Sequence, residues 1–407
     1  MTMLEHRTSA NRGIAWALVG VLAMAASVAG QTPTASQARE AIEAAQAEPG
    51  EEGLGRLTLP QLMEHFGVPG VSVAVIHDFE IHWASGFGIA DVETGLPVDP
   101  ETMFQAASIS KPVAAMATVR AVQDGLFGLD DDINTILRSW ELDGAGFTDA
   151  RPVTPRGLTS HTSGLGDGFG FPGYDPGIVL PTTVQILEGH DRSNVGEVFM
   201  EREPLTFFEY SGGGVTVMEL ALSEARDMPF EALMQRDVLG PIGMTRSSFE
   251  QPISAANDRN AARAHDGEGR SRGPKWHVYP EMAAAGLWTT PSDLARFAID
   301  VQLTVRGDEG AVLERQMVDE MLRPVGVGPY AVGFSISRLG EGWYFGHGGS
   351  NWGFRAQLLA HTAKGYGFAI MTNADRGSAL IAELSRRIQR AYDWDSVAEG
   401  VRRGYRR

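Results

Sequence analysis

The residue types in this chain best suited to chemistry are a serine and a lysine that stand three positions apart. Ser108 and Lys111 lie in the segment FQAASISKP (residues 104–112), and the apolar residues that follow predict a helix over residues 108–123. Residues three apart share a helix face, so the hydroxyl and the amine can meet. A serine needs a base to act as a nucleophile, and a lysine supplies one if burial and the helix N-terminus lower its pKa.

The use of lysine at this position is itself informative. The chain has 34 lysine and arginine residues, of which only three are lysines, namely Lys111, Lys275 and Lys364. Arginine cannot act as a base because it stays protonated, and only Lys111 follows a serine by three positions. The alternative is that Ser108 caps a helix while Lys111 extends over its surface into solvent. The motif alone leaves both interpretations open.

Two later segments could complete such a site. Tyr210 precedes the small residues 211–214, a pattern that predicts a tight loop bringing a phenol to a cleft, where it can shuttle a proton. Residues 346–351 (GHGGSN) follow a predicted strand, and their backbone can approach a substrate and donate N–H groups to an oxyanion. The alternatives are a core tyrosine and a strand-end histidine, His347, bonded to backbone. The serine of the segment 346–351 does not lie in a G-x-S-x-G nucleophile elbow, because Trp352 stands at the last position of the motif, so we reject the α/β-hydrolase interpretation.

Both ends of the chain body are rich in predicted strands. Residues 71–76 and 80–84 predict a hairpin, residues 333–337, 343–346, 355–361 and 366–372 predict four strands, and residues 378–392 predict a closing amphipathic helix. The middle of the chain, about residues 105–320, is helical and rich in loops. The pattern predicts an α+β fold in which a mixed antiparallel sheet from both chain ends is flanked by helices, with a helical subdomain inserted.

Composition excludes several classes of function. The formal net charge of −17, with no basic block in the body, disfavours nucleic-acid binding. The absence of cysteine excludes a thiol nucleophile, a thiolate metal site and disulfides. The ten histidines show no metal-ligand spacing, so we expect neither a metal nor another cofactor.

The first residues are typical of a targeting segment. Arg7 and Arg12 precede an apolar stretch (residues 14–28) that is short for a membrane span and suits a secretory signal peptide cleaved after Ala29. We expect a signal peptide over residues 1–29, a linker over 30–56, a catalytic domain over 57–395 and a basic tail over 396–407. The protein would then be periplasmic or secreted, and an uncleaved N-terminal anchor is the alternative. No other stretch is apolar enough to span a membrane.

The order of the three segments resembles the class C β-lactamase and penicillin-recognising serine hydrolase family, which includes D-alanyl-D-alanine carboxypeptidases and esterases. Supporting stretches are residues 158–165 (LTSHTSGL), 238–244 (VLGPIGM) and 285–294 (AGLWTTPSDL). The similarity covers roughly residues 57–393 and implies a β-lactamase/transpeptidase-like fold. Within it, His161 of the first stretch is assigned a structural role.

The resemblance also implies roles for the candidate residues. Ser108 would form an acyl-enzyme, and Lys111 and Tyr210 would move its proton. The backbone N–H groups of Ser108 and Ser350 would bind the oxyanion. His347 and Gly349 would belong to the substrate-binding strand beside them.

Two departures from the family pattern bear on the substrate. Tyr-x-Asn becomes Tyr210-Ser211-Gly212, and Lys-Thr-Gly becomes His347-Gly348-Gly349, which removes a fixed charge and a hydroxyl that suit a β-lactam carboxylate. We therefore predict an exported serine hydrolase of small-molecule esters or amides, of the esterase or D-amino-acid peptidase type. The alternatives are a true class C β-lactamase and a catalytically silent envelope binding protein on the same scaffold. The sequence does not indicate an oligomeric state.

Overall fold

The computed structural model of the 407-residue chain describes residues 32–47, 53–144, 146–147, 151–166 and 170–397. The predicted signal segment over residues 1–29, and residues 398–407 of the predicted basic tail, lie outside the described residues. Within the described ranges, no helix combines the length and the apolar character needed to cross a membrane.

Strands from both ends of the chain form one seven-stranded sheet. The strands of the described residues are β1 (Gly70–His77), β2 (Glu80–Asp91), β3 (Leu96–Pro97), β4 (Phe104–Gln105), β5 (Leu165–Gly166), β6 (Phe199–Met200), β7 (Trp288–Thr289), β8 (Ser335–Leu339), β9 (Gly342–Asn351), β10 (Phe354–His361) and β11 (Gly367–Thr372). The sheet has the order β3-β2-β1-β11-β10-β9-β8, and all its neighbours pair antiparallel. Strands β4 and β7, and strands β5 and β6, form two short separate ladders.

Most of the helices lie between β4 and β8, as the helical middle of the sequence predicts. The α-helices of the described residues are α1 (Ala35–Glu43), α2 (Leu59–Phe66), α3 (Ser110–Gln123), α4 (Pro155–Ser160), α5 (Thr183–Leu187), α6 (Gly212–Arg226), α7 (Phe230–Met234), α8 (Gly240–Ile242), α9 (Ala255–Asp258), α10 (Met282–Ala285), α11 (Pro291–Arg306), α12 (Arg315–Leu322) and α13 (Gly377–Ala391).

The alternation of side chains along β1 divides the interior into two layers. Val71, Val73 and Val75 belong to a cluster that also contains the buried apolar residues of α1, α2 and α13. Ala74 and Ile76 belong to the larger cluster, which includes the helices of the inserted subdomain. The predicted α+β fold, with a sheet from both chain ends and helices on each side, is confirmed.

Helix α1 lies within the segment 30–56 that was predicted as a linker, and it packs against this body. Helix α1 buries Ala38 and Ile42. Arg387 of α13, which is fully buried, binds Glu383 and the carbonyl oxygens of the first segment, those of Ile42, Ala44, Leu54 and Leu57. The polar composition gave no sign of this packing, because only two side chains of α1 are buried and the bonds to Arg387 come from backbone carbonyl oxygens.

Replacing Arg387 with methionine should destabilise the protein by about 3–5 kcal/mol, because a buried carboxylate and several carbonyl oxygens lose their cation. The matched control is Arg386→Met. Arg386 binds the same Glu383 carboxylate, but its side chain is 38% exposed, so its loss should cost less than about 1 kcal/mol. Urea unfolding followed by circular dichroism measures both changes. Equal losses for the two variants would contradict the role assigned to Arg387.

Candidate active site

Ser108 lies in a 3₁₀ turn, Ala107–Ile109, that leads directly into helix α3. The helix predicted from residue 108 therefore begins as this tighter turn. The Nζ atom of Lys111 lies 3.2 Å from Ser108 Oγ and donates a second hydrogen bond, of 2.8 Å, to the carbonyl oxygen of Ala284. Only 4% of Lys111 is exposed, so the side chain does not extend into solvent as the alternative interpretation requires.

The residue before the nucleophile has an unusual backbone conformation. Ala107 has a φ of +51°, in the left-handed region that costs a residue with a Cβ about 1–2 kcal/mol. The surrounding structure holds it there, since Ser110 Oγ donates a 2.6 Å hydrogen bond to the Ala107 carbonyl and accepts one of 2.9 Å from the Leu287 N–H. Ala107 and Ile109 are fully buried, whereas Ser108 between them is partly exposed. The turn therefore leaves the serine as the residue that a substrate can reach.

Tyr210 brings a phenol to the same point. Its side chain forms a hydrogen bond with that of Ser108. Lys111 Nζ lies 5.0 Å from the centroid of its ring. Burial raises the pKa of Tyr210 to about 12, although the hydrogen bond with Ser108 acts in the opposite direction. The side chain is therefore a neutral phenol at pH 7.

The small residues after Tyr210 begin a helix instead of forming the predicted tight loop. Ser211 caps α6, and its Oγ accepts a 2.8 Å hydrogen bond from the N–H of Gly214. Close packing explains why α6 begins with a glycine, because a Cβ on Gly212 would lie 2.7 Å from the ring of Phe171. The capped helix start fixes the backbone immediately after the phenol.

His347, Gly349 and Ser350 lie within strand β9, which extends past the predicted strand end, and Ser350 is paired with Arg355 of β10. A Cβ on Gly349 would overlap the carbonyl oxygen of Ala106, so the glycine allows β9 to pass directly beside the nucleophile turn.

The end of β9 is anchored by a buried amide. Asn351 Nδ2 donates hydrogen bonds of 2.9 Å to Gln105 Oε1 and 3.1 Å to the Ala285 carbonyl. Together with the contact at Gly349, these bonds hold Ser350 next to the turn that carries Ser108.

His347 is a neutral imidazole with both nitrogens engaged by the protein. Its Nδ1 lies 2.6 Å from the Gly348 carbonyl oxygen, which can only accept, so Nδ1 carries the proton. Its Nε2 then accepts a 3.3 Å hydrogen bond from the hydroxyl of Tyr330. Burial, reinforced by the charge of Lys111, lowers the pKa of His347 to about 3. The residue that stands in place of the family's lysine therefore carries no charge at pH 7.

An aromatic cluster that sequence reasoning missed surrounds these groups. The His161 ring lies 4.2 Å from that of Tyr210 and 4.9 Å from that of Tyr330, measured between centroids. Phe208 stacks on Tyr330 at 5.5 Å. The stretch LTSHTSGL was the available signal for His161, whereas nothing in the local pattern around Tyr330 indicated a role.

The structure therefore brings the six predicted site residues into one region between α3, α6 and β9. Within the described ranges, no group of three His, Asp or Glu side chains is placed to bind a metal ion.

A family model described as Beta-lactamase matches residues 56–392 of the chain. The chain belongs to the Beta-lactamase family.

Relatives of the chain place it within a broad set of family members. Protein Rv1367c of Mycobacterium tuberculosis is 31% identical over 231 residues, which are 52% of this chain and 56% of that protein. A D-aminopeptidase of Brucella anthropi is 24% identical over 325 residues, 78% of this chain and 59% of that protein. The chain thus spans somewhat more than half the length of these relatives.

Solved structures support the same fold. The D-alanine carboxypeptidase AmpC from Burkholderia cenocepacia superposes with a TM-score of 0.65 at 18% identity, covering 88% of this chain and 99% of that one.

In this family member, a buried carboxyl supports the helix that binds the lysine. Glu219 of α6 is 1% exposed. It accepts hydrogen bonds from the Ala283 N–H at 2.8 Å and from Thr183 Oγ1 at 3.3 Å. Ala283 directly precedes Ala284, whose carbonyl oxygen binds Lys111. Burial raises the pKa of Glu219 to about 8, so the carboxyl is mostly protonated at pH 7.

Replacing Glu219 with glutamine should make the protein more stable than the wild type at alkaline pH. The folded-state pKa of about 8 lies above the ordinary value of 4.5, so the carboxyl's contribution to stability is present below pH 4.5 and is lost as the pH rises through 8. Glutamine keeps the hydrogen bonds and does not titrate. The melting-temperature difference, variant minus wild type, should therefore grow from pH 5 to pH 9 by at least about 2–4 °C, the equivalent of roughly 1 kcal/mol.

The control for this measurement is Glu188→Gln, which changes an exposed carboxyl. Its melting-temperature difference should stay flat over the same range. A flat difference for E219Q would show that the buried carboxyl does not titrate as described.

Proposed function

We propose that the chain is an exported serine hydrolase that acts through an acyl-enzyme at Ser108 on ester or amide substrates. The observation that carries the proposal is the meeting of Ser108 Oγ, the buried Lys111 amine and the Tyr210 phenol. A serine, a nitrogen base and a second proton carrier in mutual contact are what activation of a hydroxyl nucleophile requires.

The proton path follows from the contacts of these three groups. Ser108 Oγ attacks the substrate carbonyl, and its proton passes to Lys111, which acts as the base in its neutral form. Tyr210, a phenol at pH 7, donates its proton to the leaving group and regains one from the lysine ammonium. The oxyanion lies between the backbone N–H groups of Ser108 and Ser350, an arrangement in which one donor is typically worth about 100- to 1,000-fold in rate. Water then attacks the acyl-enzyme along the same proton path and releases the acid.

The charges around the site favour substrates without a carboxylate at this position. His347 is neutral and bonded to Tyr330. The lysines other than Lys111 are held elsewhere, Lys275 by Asp258 at 2.9 Å and Lys364 by Asp395 at 2.7 Å. Esters and amides of neutral leaving groups are therefore the substrate class that fits best. The name of one similar protein, a D-aminopeptidase, supports amides of D-amino acids within that class.

Export is the second part of the proposal. It is supported by the sequence of the first 29 residues, in which Arg7 and Arg12 precede the apolar stretch 14–28. A periplasmic or secreted location follows, with Ala29 as the last residue of the signal peptide.

Replacing Lys111 with arginine should lower ester hydrolysis by about 100- to 10,000-fold, because arginine keeps a positive charge but cannot accept the proton. The matched control is Lys275→Arg, the same change at a lysine that binds Asp258, which should leave activity within about twofold of the wild type. Hydrolysis of p-nitrophenyl butyrate and labelling by a fluorophosphonate probe measure the effect, with Ser108→Ala as the unlabelled baseline. Labelling of S108A, or full activity of K111R, would contradict the proposed mechanism.

The wild-type protein should hydrolyse p-nitrophenyl esters and D-amino-acid p-nitroanilides with a kcat/KM at least about 10-fold above that for nitrocefin, because the β-lactam carboxylate lacks a charged partner. Initial rates with the three substrates give the ranking. Nitrocefin turnover equal to that of the esters would favour a true β-lactamase, and absence of acylation by every substrate would favour a binding protein on this scaffold.

A further inference from the structure

His161 contacts Tyr210 and both of its neighbours in the chain. The His161 carbonyl oxygen accepts a 2.9 Å hydrogen bond from the N–H of Glu209. Its side-chain Nδ1 accepts a 3.2 Å hydrogen bond from the N–H of Ser211. Its ring lies over Tyr210 with a centroid distance of 4.2 Å and an interplanar angle of 35°. One residue thus fixes the backbone before the phenol, the backbone after it and the ring itself.

The position of His161 is itself rigid. It ends helix α4 with a φ of +61°, and it is 1% exposed. The residue after it, Thr162, is held by a 2.9 Å hydrogen bond from its N–H to the Gly157 carbonyl. A histidine fixed in this way provides a stable surface against which a second ring can pack.

The hydrogen bond at Nδ1 also determines the protonation state. A ring nitrogen that accepts an N–H carries no proton of its own, so His161 is neutral with its proton on Nε2. Burial, reinforced by the charge of Lys111, holds the pKa of His161 well below its ordinary value. The ring therefore does not repel the lysine ammonium that forms during acyl transfer.

We propose that His161 is a positioning residue that holds the Tyr210 hydroxyl against Ser108 through this ring contact and the two flanking hydrogen bonds. The proposal rests on the proposed function, in which Tyr210 carries the proton. It assigns to the SHTSGL stretch a role in the reaction beyond the structural one that the sequence indicated. In this role His161 acts on the reaction through the position of Tyr210, although its ring also contacts Tyr330.

A double-mutant cycle tests this dependence. His161→Ala removes the ring and should lower kcat for p-nitrophenyl butyrate by about 10- to 100-fold with little change in KM, since a catalytic group displaced by 1 Å can cost about 100-fold. In the Tyr210→Phe background the same change should have less than a twofold effect, because the hydroxyl it positions is already gone. Losses that multiply in the double variant would overturn the proposal.

His161→Asn separates the ring from the hydrogen bond. Asparagine tolerates the left-handed backbone, and its side-chain oxygen can accept the Ser211 N–H. H161N should therefore recover part of the activity that H161A loses, and it serves in the cycle if H161A does not fold. The packing control is His265→Ala, which removes another buried histidine, bonded to Asn373, outside the site. H265A should keep kcat within about twofold of the wild type, and a loss as large as that of H161A would overturn the proposal.

A crystal structure of H161A, or of H161N if only that variant folds, gives a readout that does not depend on turnover. The Tyr210 hydroxyl should move away from Ser108 Oγ by about 1 Å or more, and an unmoved hydroxyl would overturn the proposal. Failure of the proposed function would look different, because the wild type would then hydrolyse none of the substrates whatever the position of Tyr210.

Discussion

A lysine that is 4% exposed must find its hydrogen-bond partners inside the protein, and Lys111 finds two of them. One is Ser108 Oγ and the other is the Ala284 carbonyl oxygen. Because a hydrogen bond lost by a buried amine or ammonium is costly, the position of α10 helps to hold the lysine in place. Glu219 holds α10 through the Ala283 N–H, so the placement of the Lys111 amine beside Ser108 is tied to a buried carboxyl on α6.

On the side of the site formed by β9 and the start of α6, two glycines permit close packing because they have no side chain. Gly349 lets β9 lie against Ala106, and Gly212 makes room for Phe171 at the start of the helix that follows Tyr210. Buried polar groups then secure these close approaches, with Asn351 bridging to Gln105 and Ser211 capping α6. The positions of the serine and the phenol are thus set by backbone contacts and caps, and their reactivity is set by burial.

The sequence was sufficient for the general fold and for the segments that the structure brings together around Ser108. The serine, lysine, tyrosine and histidine segments were recognisable by residue type and order, and the strands at both chain ends by their apolar runs. The sequence did not predict three features, and each of them depends on a contact with a residue distant in sequence. Helix α1 is bound through Arg387, Gly212 packs against Phe171 at the start of a helix, and His347 is neutral because burial and the charge of Lys111 lower its pKa. The pattern of neighbouring residues in the sequence does not indicate contacts of this kind.

The pairing of β1 with β11 has a consequence for the order of events in folding. Val71 lies opposite Thr372 at the centre of the sheet, and β9 and β10 also come from the last part of the body. Ser108 and Lys111 are synthesised early in translation. The strand that carries Ser350 can join the sheet only after β10 and β11 have been synthesised. Contacts this distant in sequence form late and slowly. A nascent chain therefore holds Ser108 and Lys111 before β9 is in place, and the proposed activity can arise only with completion of the fold.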